Sequence, residues 1–352
     1  MKTQAPLMLA LAAMLPAAAC AAQASVQLYG TIDGGLRYQT NVDATGNSLL
    51  SASSGNYFSN RLGFRGREDL GNGLNAHFQL ESGFRSDTGE LDNTNNVLFN
   101  RTAAVGLGGK WGSIDVGRQY TVGFRTERFL DPFEHHYTPI VPLASGAGTT
   151  LPAAARTAGL GASSNSGTRF NNDVQYTGTF GGLTVRAEYA LGEIADDAGK
   201  GSARGVAFSY TGSTLLAAAD YIHKETAAGF GNDAFTVGGG FRWKALTVKG
   251  GVSRERQATA NAGTYRNETR FGGVNYKLSR AVDLTAALYR SEFESAAGAG
   301  TRQLSIVGGT YYFSKNTNLY AEFDVNRYTG ALIPASKQTA QRGVSLGVMH
   351  AF

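Results

Sequence analysis

Arg61-Leu62-Gly63-Phe64-Arg65-Gly66-Arg67-Glu68-Asp69-Leu70-Gly71-Asn72-Gly73-Leu74-Asn75-Ala76-His77-Phe78-Gln79-Leu80 reads as two strands and the turn between them. Leu62, Phe64 and Gly66 share one face of the first strand, and Arg61, Arg65 and Arg67 share the other. That is the period of two expected of a strand with two unlike faces. Leu70-Gly71-Asn72-Gly73 is a tight turn. Leu74, Ala76, Phe78 and Leu80 then carry the alternation back.

The same unit recurs on both sides. Upstream, Val26, Leu28, Ile32, Leu36 and Tyr38 lie on one face of Ser25 to Tyr38, with Gln27, Tyr29, Thr31, Asp33 and Arg37 on the other. Downstream, short turns fall at Gly108 to Gly112, Thr177 to Gly182, Thr211 to Thr214, Lys244-Ala245, Ser279-Arg280 and Ser314 to Asn318. Longer polar connections lie near 41–57, 86–97, 119–168, 192–203, 224–233, 255–268, 292–301 and 328–342. Seven turns alternating with eight loops predict sixteen antiparallel strands. An even strand number with short turns at one end and long loops at the other is the pattern of an outer-membrane barrel. One or two β-sandwiches would instead bury their apolar faces against each other. Two features oppose that. The polar face is charged on strand after strand, at Arg186 and Glu188, at Lys249, and at Glu322 and Asp324. Aromatic residues also gather where strands meet turns (Trp111, Tyr176, Phe180, Trp243, Tyr276, Phe313, Tyr320), as a membrane girdle requires. On the last strand Val344, Leu346, Val348, His350 and Phe352 share a face, so pairing with the first strand would close the ring.

Composition agrees with an all-β chain: 47 Gly, 16 Tyr and 19 Phe, against 7 Pro, and no amphipathic helical period that persists. Residues 1–24 read as a secretory leader, with Lys2, an apolar run to Ala19 and Ala22-Gln23-Ala24 as the cleavage site. The run is too short and too broken by proline to span a membrane. Lipoprotein processing at Cys20 lacks the bulky residue expected three positions earlier. Residues 25–352 then form one barrel domain without cysteine, and loss of Lys2 lowers the net charge from +5 to about +4.

The segment 119–168 stands apart. It has no strand period, runs through Asp131-Pro132-Phe133-Glu134-His135-His136, and ends in small residues from Ala153 to Ser166. A loop this long in a compact domain usually means function or disorder. Short strands with an arginine flank it, Ile114 to Arg118 and Arg169 to Tyr176.

Several motifs together resemble the Gram-negative general diffusion porins, and most of all the trimeric porins of β-proteobacterial outer membranes. They are Val26 to Asp33, Arg61 to Leu70, Val105-Gly106-Leu107, Gly117-Arg118-Gln119, Arg169 to Tyr176, Tyr312 to Thr317, and His350-Ala351-Phe352. Each is weak alone, but their order and spacing span the chain from residue 26 to its end. The resemblance implies a third loop folded into the lumen, with carboxylates facing a basic wall. Arg61, Arg118 and Arg169 resemble the wall, and Asp131 and Glu134 the loop. The sequence departs from that pattern at Arg125 and Arg128, which add cations to the loop, and in a longer small-residue segment at 144–168. Strict alternation places Arg118 beside Ile114 and Val116, facing lipid, where mid-depth charge costs about 2–4 kcal/mol. A bulge at Gly117 would turn it inward, as the resemblance implies; the residues alone leave both orientations open.

The functional expectation is a water-filled channel for passive diffusion of ions and small hydrophilic solutes. Charge rings in a narrow lumen set which ions enter, and the arginine row leans weakly towards anions. Expected partners are outer-membrane lipid and two further copies in a homotrimer, with no nucleic acid. No cofactor, metal or catalytic residue is expected. Adjacent His135 and His136 point apart on an extended chain and lack a third ligand. Gly106 to Lys110 lacks the spacing of a phosphate loop and opens no helix. Asn267-Glu268-Thr269 fits a glycosylation sequon, which has little weight in a bacterial chain. A barrel enzyme needs a nucleophile with a base in reach, and His77, His135, His136, His223 and His350 suggest no such set. A structural barrel should carry a plug, and no plug domain precedes the first strand.

Overall fold

The computed structural model describes residues 25–93, 96–137, 164–165, 168–258, 263–296 and 298–352. The leader assigned to residues 1–24 lies outside them, as does much of the segment 119–168.

Strands β1 (Ser25–Gln39), β2 (Leu49–Ser54), β3 (Arg61–Gly71), β4 (Leu74–Gly83), β5 (Thr102–Gly109) and β6 (Gly112–Tyr120) precede one helix, α1 (Val122–Leu130). After it come β7 (Ser164–Asn165), β8 (Arg169–Phe180), β9 (Leu183–Ala190), β10 (Ala203–Thr211), β11 (Leu215–Glu225) and β12 (Gly231–Trp243). The series ends with β13 (Leu246–Ala258), β14 (Thr264–Lys277), β15 (Val282–Ser295), β16 (Gly298–Tyr312), β17 (Thr317–Gly330) and β18 (Ala340–Ala351). The short β2 and β7 add to the ladder beside β1 and β8. The other sixteen described strands pair antiparallel, each with its neighbour in the chain, and β18 returns to β1 from Thr31↔Ala351 to Gln39↔Gly343. Gly30 N donates to Phe352 O at 3.0 Å, and Phe352 N donates to Gly30 O at 3.1 Å, which finishes the seam. The result is a closed antiparallel barrel with no free edge.

Local chemistry explains the turns. Asn72 and Gly73 lie between the paired Gly71 and Leu74, with φ of 54° and 78°. Two positive φ values in a two-residue loop match the right-handed twist of the flanking strands, and Asn-Gly adopts them at least cost.

The wall is inverted relative to a water-soluble protein. On β1, Leu28, Ile32, Leu36 and Tyr38 are exposed while Thr31, Asp33 and Arg37 are buried. On β18, Val344, Leu346, Val348 and Phe352 are exposed and Ser345 is buried. The outer face is therefore apolar and the inner face polar. No helix among the described residues is long and apolar enough to cross a membrane. Inside, Arg37 bridges Glu322 at 2.5 Å and Asp324 at 2.8 Å and donates to Ser345 at 2.7 Å, linking β1, β17 and β18 across the seam.

Three expectations need correcting. Tyr320 is not part of an outer girdle. It is 1% exposed on the inner face and donates to Asp33 Oδ1 at 2.6 Å, because its parity is that of Glu322 and Asp324 rather than that of the exposed Leu319 and Phe323. The connections predicted at 255–268 and 292–301 are largely strand, since β13 runs to Ala258, β14 starts at Thr264, β15 reaches Ser295 and β16 starts at Gly298. Backbone pairing needs no apolar face, so the ladder continues beyond the apolar band. The third loop is also not structureless at its start, where α1 forms. Thr121 caps the helix by accepting from Phe124 N at 3.1 Å. Pro132 holds Asp131 in extended conformation (φ −68°, ψ 131°), which stops it.

Candidate functional site

Helix α1 packs against β9 to β13. Val122 is buried among Phe170, Ala190, Ala203, Ala207 and Ile222, where the three alanines make room for it. The backbone N of Val122 donates to Glu188 Oε2 at 3.0 Å, and Ser253 Oγ donates to Glu127 Oε1 at 2.6 Å. The start and the middle of the helix are thus tied to polar wall residues.

Beside the helix start, guanidinium groups gather around two aromatic rings. Arg169 Cζ lies 4.1 Å from the Tyr120 ring centroid and Arg125 Cζ 5.8 Å from it, while Phe124 stacks on that ring at 4.7 Å. Arg101 donates to the Tyr120 hydroxyl at 2.7 Å. Arg61 and Arg128 approach the Phe58 ring at 4.2 Å and 5.6 Å. Cations over ring faces are held by the ring quadrupole. Glu81 contacts two members of the group, with Arg101 Nε at 2.7 Å and Arg61 at 3.6 Å.

After α1 the chain turns through an elbow, in which Glu134, His135 and Tyr137 all have positive φ. Asp131 is 1% exposed. One carboxylate oxygen accepts from the Tyr289 hydroxyl and the other from His135 N at 2.6 Å. Burial raises its pKa to about 6, against the lowering effect of those donors and of Lys249. The Glu134 side chain is 57% exposed and pairs with Lys249 Nζ at 3.0 Å. Burial alone would raise its pKa, but Lys249 outweighs this and leaves it lowered. His135 and His136 serve as packing rings, against Phe124 at 4.9 Å and Tyr57 at 4.3 Å. Burial, reinforced by the Arg128 charge, lowers their pKa values to about 3 and about 4, so both are neutral at pH 7. Tyr137 N donates to Tyr57 O at 2.9 Å, which pins the elbow to the first loop. A cavity of about 390 Å³ lies between this elbow and the wall, with Arg242, Lys244, Lys249 and Lys277 among its lining. Among the described residues no three His, Cys, Asp or Glu side chains group as metal ligands.

Of the residues the sequence singles out, Arg61 and Arg169 join the arginine gathering. Arg118 does not touch it: its guanidinium donates to Asn100 O at 2.7 Å and to Asn171 Oδ1. The wall is irregular there, as β8 places Asn171 and Asn172 opposite Arg118, and Gly117 has φ +133°. On its other side Arg118 pairs with Ala103, in step with the exposed Val105 and Val116. Asp131 and Glu134 meet Tyr289 and Lys249 rather than the arginines. Sequence reasoning missed Arg101, Tyr120 and Glu81. Glu81 has the parity of the inner face, but Arg101 shares parity with the outward Val105 and reaches inward only because the chain before Thr102 is not strand.

The sequence model of the Gram-negative porin family, set against this chain, matches residues 9–331. The chain belongs to that family. Among the relatives of this porin, outer membrane porin protein 32 of Delftia acidovorans is 29% identical over 98% of this chain and 99% of its own. An anion-selective porin from Comamonas acidovorans has the same fold, with a TM-score of 0.77 at 24% identity over 94% of this chain and 100% of that one. OmpT of Vibrio cholerae, solved in a trimer form, gives a TM-score of 0.69 at 16% identity over 94% and 99%. The porin is an outer-membrane channel for passive diffusion. In outer-membrane barrels the short turns face the periplasm and the long loops the exterior.

Proposed function

We propose that this porin prefers anions weakly, and that its narrowest point lies between the arginine gathering at Tyr120 and the described part of the third loop. We further propose that it acts as a homotrimer, without catalysis or cofactor. One observation carries the anion preference: Arg61, Arg101, Arg125, Arg128 and Arg169 collect around Tyr120 and Phe58 with Glu81 between two of them, while Asp131 and Glu134 are engaged elsewhere. Excess fixed positive charge in a water-filled constriction raises the local anion concentration and lowers that of cations. Arginine suits the role because its charge does not titrate and its planar group can rest on an aromatic ring. The wall arginines Arg61 and Arg169 act as fixed charges, and Arg118 supports the same wall through Asn100 and Asn171. The loop carboxylates hold the elbow in place: Asp131 by accepting from Tyr289, Glu134 by pairing with Lys249. The trimer form of OmpT supports the assembly.

The deciding experiment is the reversal potential of single channels in a planar bilayer under a KCl gradient. An anion-side potential that moves towards cations in the R61Q/R169Q double variant supports the reading. A cation-side potential in the unaltered porin would refute the anion preference, and no current from folded protein would refute the channel.

A further inference from the structure

The chamber beneath the elbow differs from the arginine gathering in place and in chemistry. Arg61, Tyr120 and Arg169 stand at the loop ends of β3, β6 and β8. The chamber lies instead against the turn ends of β12 to β16. The strand register lays its wall out in rows. Lys277, Asp283 and Thr310 stand side by side in the row next to the turns. Arg242 stands opposite Thr247 in the row above, which continues across β14 and β15 to Gly308. The elbow bounds the chamber on the side away from the turns. It rests on Gly308, where a Cβ would lie 2.9 Å from the Tyr137 ring and 3.0 Å from that of Phe133.

Two kinds of surface meet in this space. One is charged: Arg242, Lys244, Lys249 and Lys277 line it together with Glu134 and Asp283, four cations against two carboxylates. Lys249 is taken by Glu134 at 3.0 Å. Lys277 stands opposite Asp283, yet that carboxylate accepts from the Tyr312 hydroxyl at 3.4 Å. Among the described residues neither Lys277 nor Arg242 forms an ion pair, although both line the chamber. The other surface is aromatic, with Tyr57, Phe133 and Tyr312 bordering the same space. Tyr57 stacks on Tyr320 at 5.2 Å, and Phe133 meets Tyr137 edge-on at 5.5 Å. These two rings are held by other rings, so little ordering is left for an arriving ligand to supply.

We propose that this chamber is a subsite for small aromatic carboxylates, with the ring against Phe133 and Tyr312 and the carboxylate between Arg242 and Lys277. Its volume of about 390 Å³ lies at the lower end of small-molecule sites, about 300–1,000 Å³, which suits one ring or two. A guanidinium and an ammonium both give charge-assisted hydrogen bonds to a carboxylate, and aromatic rings attract one another edge-on or offset. An inorganic anion would use the cations and leave the rings unmatched. A neutral ring compound would leave both cations unpaired, and an organic cation would meet an excess of like charge. The subsite rests on the proposed anion preference for delivery alone: the arginine gathering admits anions, and the chamber chooses among them by their ring.

The test titrates the interruption of single-channel KCl current in a planar bilayer by benzoate, acetate, cyclohexanecarboxylate and benzamide, each added to both sides. Benzoate should block at a concentration about tenfold or more below acetate and about threefold or more below cyclohexanecarboxylate. Uncharged benzamide should not block in that range. In the R242Q/K277Q variant the half-blocking benzoate concentration should rise roughly tenfold. In Y312A it should rise about threefold while that of acetate stays the same, a split that a general loosening of the lumen would not give. Equal potency of benzoate and cyclohexanecarboxylate would overturn the proposal, as would undiminished block in R242Q/K277Q. Should a variant fail to fold, as judged by heat-dependent gel migration, the four ligands on the unaltered porin still decide. The reversal potential in the same bilayer separates the subsite from the anion preference. An anion-side potential without benzoate block overturns the subsite alone, whereas a cation-side potential with benzoate block retained refutes the anion preference and supports the subsite.

Discussion

Replacing Tyr289 with Phe removes one hydroxyl from the elbow and leaves its shape unchanged. That hydroxyl donates to Asp131, a carboxylate 1% exposed, whose other oxygen is held by His135 N at 2.6 Å. A hydrogen bond to an ionised group contributes about 1.5–3 kcal/mol. Taking about 2 kcal/mol from the docked elbow shifts the ratio of released to docked forms roughly thirtyfold. Release should open the helix that precedes the elbow, where Arg125 and Arg128 are substrates for trypsin. The assay is limited trypsin digestion of the folded porin in micelles at pH 7, with fragments identified by mass spectrometry. Cleavage after these arginines should accelerate by about ten- to thirtyfold in Y289F. The pH dependence offers a second check. Burial raises the Asp131 pKa to about 6, so the docked form binds its proton more tightly than the released form, and Asp131 favours docking more as pH falls towards 4. Below about pH 5 the carboxyl is neutral and the lost bond is worth only about 1 kcal/mol, so the two proteins should converge. Equal cleavage rates at pH 7 in correctly folded samples would refute the claim that Tyr289 and Asp131 hold the elbow.

His135 and His136 act in the opposite direction from Asp131. Their pKa values in the docked loop are lowered to about 3 and about 4 from 6.5, so the released form binds more protons and docking weakens as pH falls below about 6.5. Glu134, whose pKa Lys249 lowers in the docked elbow, acts with the two histidines, and three groups against one should leave a net release by about pH 4.5, seen as noisier and larger single-channel currents; quieter currents on acidification would contradict it. Replacing Lys249 with Met frees Glu134 from its 3.0 Å partner. One uncompensated charge near the lumen is worth about 1 kcal/mol, so the anion-to-cation permeability ratio should fall up to about fivefold, and an unchanged reversal potential would count against a pore-facing Glu134. Gly117→Ala places a side chain at φ +133° against the Ala103 carbonyl. A destabilisation of about 1–2 kcal/mol or more is expected, readable as an earlier midpoint in urea unfolding followed by tryptophan fluorescence.

The wall was legible because lipid and water demand opposite parities of every strand. Val26, Leu28, Ile32 and Leu36 declare the outer face of β1 without help from any distant residue, and the Asn72-Gly73 turn declares its own backbone. Tyr320 shows the rule outperforming an intuition: parity with Glu322 assigned it inward, while the habit of placing tyrosines in a girdle assigned it outward. The helix α1 was hard to see because nine residues hold only about two and a half turns, and what stabilises it is the pocket formed by Phe170, Ala190, Ala203 and Ile222, contributed by strands far along the chain. The arginine gathering was legible in part for the same reason. Arg61 announces itself by alternation, but Arg101 depends on a stretch with no strand geometry, and Tyr120 on which side chains the barrel brings round to meet it. Arg118 illustrates the limit, since a local irregularity of β8, set by Asn171 and Asn172, decides its neighbours.

The seam between β1 and β18 makes this chain a circle in all but covalent terms. Arg37 finds its partners 285 to 308 positions later, so the first strand cannot be satisfied until the last one exists. No early portion can settle into final form and wait, because every incomplete wall has two raw edges seeking a mate. Contacts so distant along the chain are slow to make, and the unfinished sheet needs to be kept from pairing with strangers during that interval. The circle also has no privileged beginning. If Ser25, where β1 starts, were joined to Phe352 and the wall opened instead at Lys244-Ala245, every rung of the ladder would still find the same neighbour.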